Sequence, residues 1–138
     1  MEKPVPNIKI QIQFILKEII IMLYTTMVVK DKEYKLRISA KSCVELEKKL
    51  GENPLNVLIE ATNANKIPTL SSFLTILHAA IQQYQHGITL DDVYNIYDEF
   101  VDEGHNITDL VPIIYEVFKV SGYCGQAEEA KESEAKNA

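Results

Sequence analysis

The sequence contains few of the residue patterns that carry catalysis or nucleic-acid binding. Its two cysteines, Cys43 and Cys124, lie far apart with no CxxC or Cys/His spacing, which indicates reduced, unpaired thiols of a cytosolic protein. Its 14 basic residues are outnumbered by 20 acidic ones, for a net charge of −6. Because the basic residues form no cluster, we expect the protein to bind neither nucleic acid nor an anionic membrane surface.

Long apolar runs are missing as well. The stretch Ile8–Leu23 is interrupted by Lys9, Lys17 and Glu18, and it falls short of the ~20 predominantly apolar residues that a membrane-spanning helix needs. No small-residue cleavage site follows it, which argues against a signal peptide.

Catalytic and metal-binding patterns are not found either. The histidines, His78, His86 and His105, have no carboxylate or thiol at motif spacing, and we expect all three at the surface. No carboxylate pair lies in the apolar setting typical of a catalytic acid and base, no Gly-rich phosphate loop is present, and the acidic residues do not match a Ca²⁺-loop spacing. The sequence therefore predicts a protein that is not an enzyme and has no cofactor or metal site.

Residues 1–21 have two interpretations. Asn7–Phe14 alternates apolar and polar residues, which predicts an edge strand added to the domain. Alternatively, Lys17 and Glu18 can be encoded AAGGAG, the core of a bacterial ribosome-binding site, and three isoleucine codons then give a typical spacer before Met22. On this second interpretation translation starts at Met22, and residues 1–21 are an extension outside the fold.

The rest of the chain predicts a mainly α fold of the α+β class, with an N-terminal β-hairpin packed on a compact bundle of four to five short helices. Leu23–Val29 and Tyr34–Ile38 have the composition and alternation of strands around a polar turn, Lys30–Glu33. We expect a single globular domain over residues 22–124. Residues 125–138 lack apolar periodicity, which predicts a disordered acidic tail.

Capping residues set the predicted limits of the first two helices. Ser42 and Glu45 form a capping box for a helix that Gly51 closes, and Pro54 sits at the first position of the next helix. The predicted inward face of this second helix is Leu55, Leu58, Ile59 and Thr62.

The third predicted helix, residues 70–85, begins after the N-cap Thr69. One side is a continuous apolar stripe, and the other side is polar without a single formal charge. A fully solvated helix usually carries charges, so we expect this helix to lie centrally and to be flanked on both sides.

The fourth predicted helix begins at a capping box formed by Thr89 and Asp92 and ends before Gly104. Its polar side, the acidic face, has six carboxylates and no base: Asp91, Asp92, Asp98, Glu99, Asp102 and Glu103. This face either docks a basic partner by electrostatic steering or is a solvated surface that keeps the protein soluble.

The fifth predicted helix, capped by Asn106 or Thr108, is apolar around most of its circumference. Four residues suffice for a core stripe: Leu110, Ile113, Ile114 and Val117. A second apolar row beside it comprises Val111, Tyr115 and Phe118. A helix of this kind is either deeply buried or holds a contact surface, and burial on all sides is hard to arrange in a small chain. The row is therefore either core or a binding surface for a partner, including weak self-association.

Several motifs follow one another in a recognisable order: YKLRISAK and VELEKKLG in residues 34–51, NPL at 53–55, QHGITLDDV at 85–93 and VSGY at 120–123. Over about residues 27–123 the chain resembles the small tail assembly chaperones of long-tailed bacteriophages and prophages. The resemblance implies a protein of the bacterial cytoplasm that coats the aggregation-prone tape-measure protein and helps to recruit tail-tube protein. Our hypothesis is that Val111, Tyr115 and Phe118 contribute the surface that binds this partner, and that the acidic face keeps the complex soluble.

Two other functions stay open from the sequence. One is a structural virion component, such as a head–tail connector subunit, which would form a stable high-order ring. The other is a bacterial regulatory adaptor.

Overall fold

The computed structural model describes residues 7–63 and 66–124, without the side chains of residues 18–22. The described part contains one two-stranded antiparallel hairpin and six α-helices, and the predicted fold class is confirmed. The elements in chain order are α1 (Ile8–Leu23), β1 (Thr25–Val29), β2 (Lys32–Leu36), α2 (Ala40–Leu50), α3 (Leu55–Thr62), α4 (Leu70–Gln82), α5 (Leu90–Asp102) and α6 (Leu110–Val120). The predicted disordered tail, residues 125–138, lies outside the described residues.

The hairpin closes through a turn of two residues, Lys30 and Asp31, both with positive φ, at 47° and 65°. Two positive φ angles define the type I′ turn, whose twist matches that of the flanking strands. The predicted turn of residues 30–33 is therefore too long, and β2 already begins at Lys32. Alternate side chains of the two strands, Met27, Val29, Tyr34 and Leu36, are buried against the helices.

Helix α4 occupies the centre of the fold, as the chargeless polar side predicted. It contacts α2, α5, α6 and β2, and it begins at Thr69, whose hydroxyl accepts a hydrogen bond from the Ser72 N–H at 3.2 Å. Its inner residues are all buried: Phe73, Leu74, Ile76, Leu77, Ala80 and Ile81. The helix ends at Gln82 rather than Gln85, which leaves the Gln85 side chain free to turn toward the hairpin.

Helix α2 begins earlier than predicted. Ser39 is its N-cap, because the Ser39 hydroxyl accepts a hydrogen bond from the Ser42 N–H at 3.2 Å. The predicted capping box of Ser42 and Glu45 is wrong, since the short connection from β2 already starts the helix at Ala40 and places Ser42 in its first turn. Gly51 closes the helix with a φ of 71°, as predicted.

Helix α3 turns a different face inward from the predicted one. Val57 and Leu58 are buried, whereas Ile59 and Thr62 are exposed. A helix of eight residues with five apolar side chains offers more than one apolar face, and only packing against α6 selects among them.

The edge-strand interpretation of residues 7–14 is wrong, because Ile8–Leu23 forms α1. In a helix the backbone N–H and C=O groups bond to one another, so this segment forms its hydrogen bonds without pairing to a sheet. Among the described side chains of α1, seven large apolar ones are exposed: Ile8, Ile10, Ile12, Phe14, Ile15, Leu16 and Leu23. Among the described residues no helix is both long and apolar enough to cross a membrane. The start of translation at Met22 stays a prediction.

Candidate functional site

An apolar groove runs along the outer side of the contact between α3 and α6. Its first recess is lined by Leu55, Leu58, Ile59, Thr62, Tyr115 and Cys124. Its second recess lies one turn of α6 away. The apolar residues that line it are Ala61, Ile67, Pro68, Phe73, Ile107 and Val111, and its polar lining residues are Asn63, Lys66 and Thr108. We call the two recesses together the α3–α6 groove.

Two isoleucines of the groove are strongly exposed. Ile59 is 63% exposed and Ile67 is 77% exposed. Each large aliphatic side chain left in water forgoes about 25 cal/mol per Å² of apolar surface that burial would gain. Two neighbouring recesses with exposed apolar side chains on a small protein are typical of an interaction surface.

The predicted surface row of α6 is divided by the structure. Val111 and Tyr115 are half-buried and line the two recesses of the groove. Phe118 is 0% exposed and belongs to the core, so the prediction is wrong for this residue. The predicted surface did not include the α3 residues beside this row, above all Ile59. The reason is that Ile59 was assigned to the inward face of that helix.

Phe118 is covered because the chain reverses after α6. Gly122 has a φ of 84°, and the N–H of Tyr123 donates to the carbonyl of Phe118 at 2.9 Å. The Tyr123 ring then lies edge-on to the Phe118 ring, with centroids 6.1 Å apart. Glycine is suited to this positive φ, and the resulting hydrogen bond is that of a Schellman helix end.

The reversed segment is tied to the connection after β2. The Ser121 hydroxyl accepts a hydrogen bond from the Ile38 N–H at 2.9 Å, and the Tyr123 hydroxyl donates to the Ile38 carbonyl at 3.2 Å. Burial raises the pKa of Tyr123 to about 12, helped by its hydrogen bond with Cys43. Burial also raises the pKa of the Cys43 and Cys124 thiols, and both are unpaired. These groups hold the end of α6, and with it one end of the groove, in place.

The acidic face of α5 is spread along the helix. At its start, Asp92 accepts a hydrogen bond from the Thr89 N–H at 2.8 Å in the predicted capping box, and this bond lowers the pKa of Asp92. At its end, the Glu103 carboxylate accepts a hydrogen bond from the Lys30 N–H, and Asp102 lies 3.9 Å from the Lys30 ammonium. Both ends of the face therefore have structural roles.

The middle of the acidic face consists of Asp98 and Glu99, and Asp91 adds to its first turn. Asp91 and Asp98 are exposed, while Glu99 is half-buried. Within the described ranges, no group of three His, Cys, Asp or Glu side chains is arranged to hold a metal ion.

The histidines differ in their surroundings. His86 and His105 are exposed, and the His105 ring stacks on Phe100 with centroids 4.3 Å apart. The prediction of a surface histidine is wrong for His78, which is half-buried and whose Nε2 lies 2.9 Å from the carbonyl oxygen of Ile88. Here the imidazole joins α4 to the start of the segment that leads into α5.

Residues 20–137 match a family described as Family of unknown function (DUF6096). The chain belongs to this family. The matched region includes the hairpin and every helix from α2 to α6, so the α3–α6 groove lies entirely within it. No curated protein and no solved structure matches the chain significantly.

Proposed function

We propose that this protein is a non-enzymatic assembly chaperone that binds a helical, partly apolar segment of another protein in the α3–α6 groove. The exposed Ile59 and Ile67 beside the half-buried Val111 and Tyr115 carry the proposal. An amphipathic helix presents apolar residues at i, i+4 and i+7 and covers such a groove. Helix α3, with eight residues and a length of ~12 Å, offers room for about two turns of a partner helix.

Binding fits the chemistry of the described residues better than catalysis. No polar or charged side chain among them is fully buried. Burial and close partners are the usual means by which enzymes tune the pKa of a catalytic acid or base. Of the groups with shifted pKa values, Asp92 caps a helix, Tyr123 and Cys43 are hydrogen-bonded to each other at the chain reversal, and Cys124 lines the groove.

The proposed partner is the tape-measure protein of a phage or prophage tail, with tail-tube protein as a second partner, in the cytoplasm of the bacterial host. The order of motifs along the chain supports this choice. A tape-measure chain is long, largely helical and apolar along one side before the tail tube encloses it. The α3–α6 groove covers part of that apolar side, and the acidic face of α5 keeps the complex soluble.

Co-expression of the full chain with the neighbouring tape-measure protein tests the proposal. We expect the wild type to keep the tape-measure protein in the soluble fraction and to copurify with it. The variant Ile59→Asp, Ile67→Asp places charge in both recesses and should lose the partner. Val44→Asp is the matched control, because Val44 is an apolar residue of α2, 50% exposed and outside the groove.

Circular dichroism of each variant verifies that it is folded. Copurification of the groove variant at the wild-type level would refute the groove as the binding site. Absence of any complex with the wild type would refute the chaperone function itself.

The two other candidate functions give different results. A structural virion component is present in purified particles at fixed copy number, whereas a chaperone is absent from them. A regulatory adaptor has no reason to be encoded between tail-tube and tape-measure genes. Mass spectrometry of particles and the gene order therefore separate the three.

A further inference from the structure

The outer edge of β2 is closed by α4 and the residues that follow it. The Lys35 N–H donates to Gln85 Oε1 and the Lys35 carbonyl accepts from Gln85 Nε2, each over 2.8 Å. One step along, the Arg37 N–H donates to the carbonyl of Ala80 at 3.2 Å. No further strand can pair with this edge at these positions.

Within residues 7–63 and 66–124, no backbone group pairs with the outer edge of β1. Lys35 lies opposite Thr26 in the hairpin. The backbone N–H and C=O of Lys35 are bonded to Gln85 and so point away from β1, which makes Thr26 and Lys35 a non-hydrogen-bonded pair. The N–H and C=O of Thr26 therefore point away from the hairpin, and by alternation so do those of Val28. No hydrogen bond joins these four groups to any residue that the structure describes.

The sequence of strand β1 has no residue that blocks pairing at an edge. Proteins block exposed strand edges with charged side chains, proline or a bulge. The sequence of β1, TTMVV, has none of these, and its residues favour strands. Val28 is 58% exposed on a face that is otherwise Thr26, Glu33 and Lys35. This contrast with the closed edge of β2 marks β1 as a site for strand pairing.

We propose that β1 pairs with β1 of a second copy of this chain. The two strands run antiparallel about a two-fold axis at Met27, which joins the two hairpins into one four-stranded sheet. Thr26 of each copy then faces Val28 of the other, and their outward N–H and C=O groups form four inter-chain hydrogen bonds.

A second copy fits this edge because the edge is complementary to itself. Thr26 and Val28 lie on either side of Met27, through which the two-fold axis passes. The N–H of Thr26 therefore faces the C=O of the second copy's Val28, and the C=O of Thr26 faces the N–H of that residue. On the exposed face, Val28 covers Thr26 of the other copy, and no charged residue faces a like charge. Across the four strands, side chains then follow in the order Glu33, Val28, Thr26 of the second copy and Lys35 of the second copy. Each such row therefore has a negative charge at one end and a positive charge at the other.

The β1 edge and the α3–α6 groove have no residue in common. Failure of the self-pairing therefore leaves the chaperone proposal intact, and the reverse also holds. The wild-type chain is examined first, by sedimentation equilibrium from micromolar to millimolar concentration and by amide hydrogen exchange across the same range.

We expect a monomer–dimer equilibrium in which exchange of the Thr26 and Val28 amides slows at least tenfold as dimer forms. The Met27 amide is the internal control, because it is bonded within the hairpin and stays protected at every concentration. A wild type that is monomeric throughout, with Thr26 and Val28 exchanging as free amides, would overturn the proposal.

A charge-swap pair tests the register. One variant carries Thr26→Glu and Val28→Glu, and the other carries Thr26→Lys and Val28→Lys. In each variant, one new side chain faces an opposite charge and the other faces a like charge, on Lys35 and Glu33 of the same hairpin. The stability of the hairpin is therefore changed to a similar extent in the two variants. We expect each variant alone to be monomeric and their mixture to form a heterodimer. Dimers that persist in both separate variants, or a mixture that does not pair, would place the contact on another surface and overturn the proposal.

Discussion

The side-chain amide of Gln85 pairs with the backbone of Lys35 as a neighbouring strand would. It accepts from the Lys35 N–H and donates to the Lys35 carbonyl, and both distances are 2.8 Å. The two residues lie 50 positions apart in the sequence, so the contact fixes the C-terminal end of α4 to the hairpin. Of the two strands, β1 is then the one whose outer edge is unpaired in the part of the chain that the structure describes.

We expect Gln85→Ala to lower the free energy of unfolding by about 1.5–3 kcal/mol, since it removes three side-chain hydrogen bonds of about 0.5–1.5 kcal/mol each, two with Lys35 and one to the Ile81 carbonyl. Urea denaturation measures the change. Gln83→Ala is the matched control, because Gln83 is exposed at the same helix end, and it should stay within about 0.5 kcal/mol of the wild type. Equal losses in the two variants would mean that the Lys35 pairing contributes nothing.

The hairpin turn predicts a stabilising change. Asp31 has a φ of 65°, a left-handed conformation that costs a residue with a Cβ atom and that glycine adopts freely. We expect Asp31→Gly to raise the free energy of unfolding by about 0.5–1 kcal/mol, read as a higher urea midpoint at unchanged slope.

The reverse change is available at Gly51, with a φ of 71° and no atom within 4 Å of an added Cβ. Gly51→Ala should therefore destabilise the protein by about 1 kcal/mol through the backbone alone. If both variants shift the midpoint in the same direction, the backbone explanation is wrong.

Core and groove differ in their expected response to truncation. Phe118 is fully buried, and Phe118→Ala should cost about 3–5 kcal/mol of unfolding free energy. Ile59 is 63% exposed, and Ile59→Ala should cost less than about 0.5 kcal/mol while weakening the proposed partner complex. Thermal unfolding of the two variants, with copurification for Ile59→Ala, checks both statements. A large loss of stability in Ile59→Ala would place this residue in the core.

The pKa of Tyr123 predicts a loss of stability in alkali. Burial raises it from 10.0 to about 12, so the folded state holds the phenol proton more tightly than the unfolded state. The contribution is fully present below pH ~10 and declines as the pH rises through about 12. Tyr123→Phe removes this titration along with the hydrogen bond to the Ile38 carbonyl.

We therefore expect Tyr123→Phe to be less stable than the wild type at neutral pH by about 1 kcal/mol, and the difference to shrink above pH ~10. Urea midpoints across this range measure the effect, with both proteins carrying Cys43→Ala, because the pKa of the Cys43 thiol depends on its hydrogen bond with Tyr123. A difference that stays constant with pH would contradict the assignment to Tyr123.

The sequence by itself determined part of the local structure, although it predicted a strand where α1 lies. Thr69, the Thr89–Asp92 box and Gly51 set helix limits because a cap needs only residues within one turn of the helix end. The apolar stripe of α4 and its chargeless polar side determined that this helix is central. The hairpin followed from two short strand patterns around a polar turn.

Only the tertiary structure decided which apolar faces meet. Ser39 and Ser42 are both plausible caps until the length of the connection from β2 is known. Helix α3 has more than one apolar face, and contact with α6 selected the one that exposes Ile59. Phe118 and Tyr115 look alike on α6, yet the reversal at Gly122 buries one and leaves the other in the groove. The groove and the open edge of β1 arise from residues far apart in sequence, and no local pattern carries information about such neighbours.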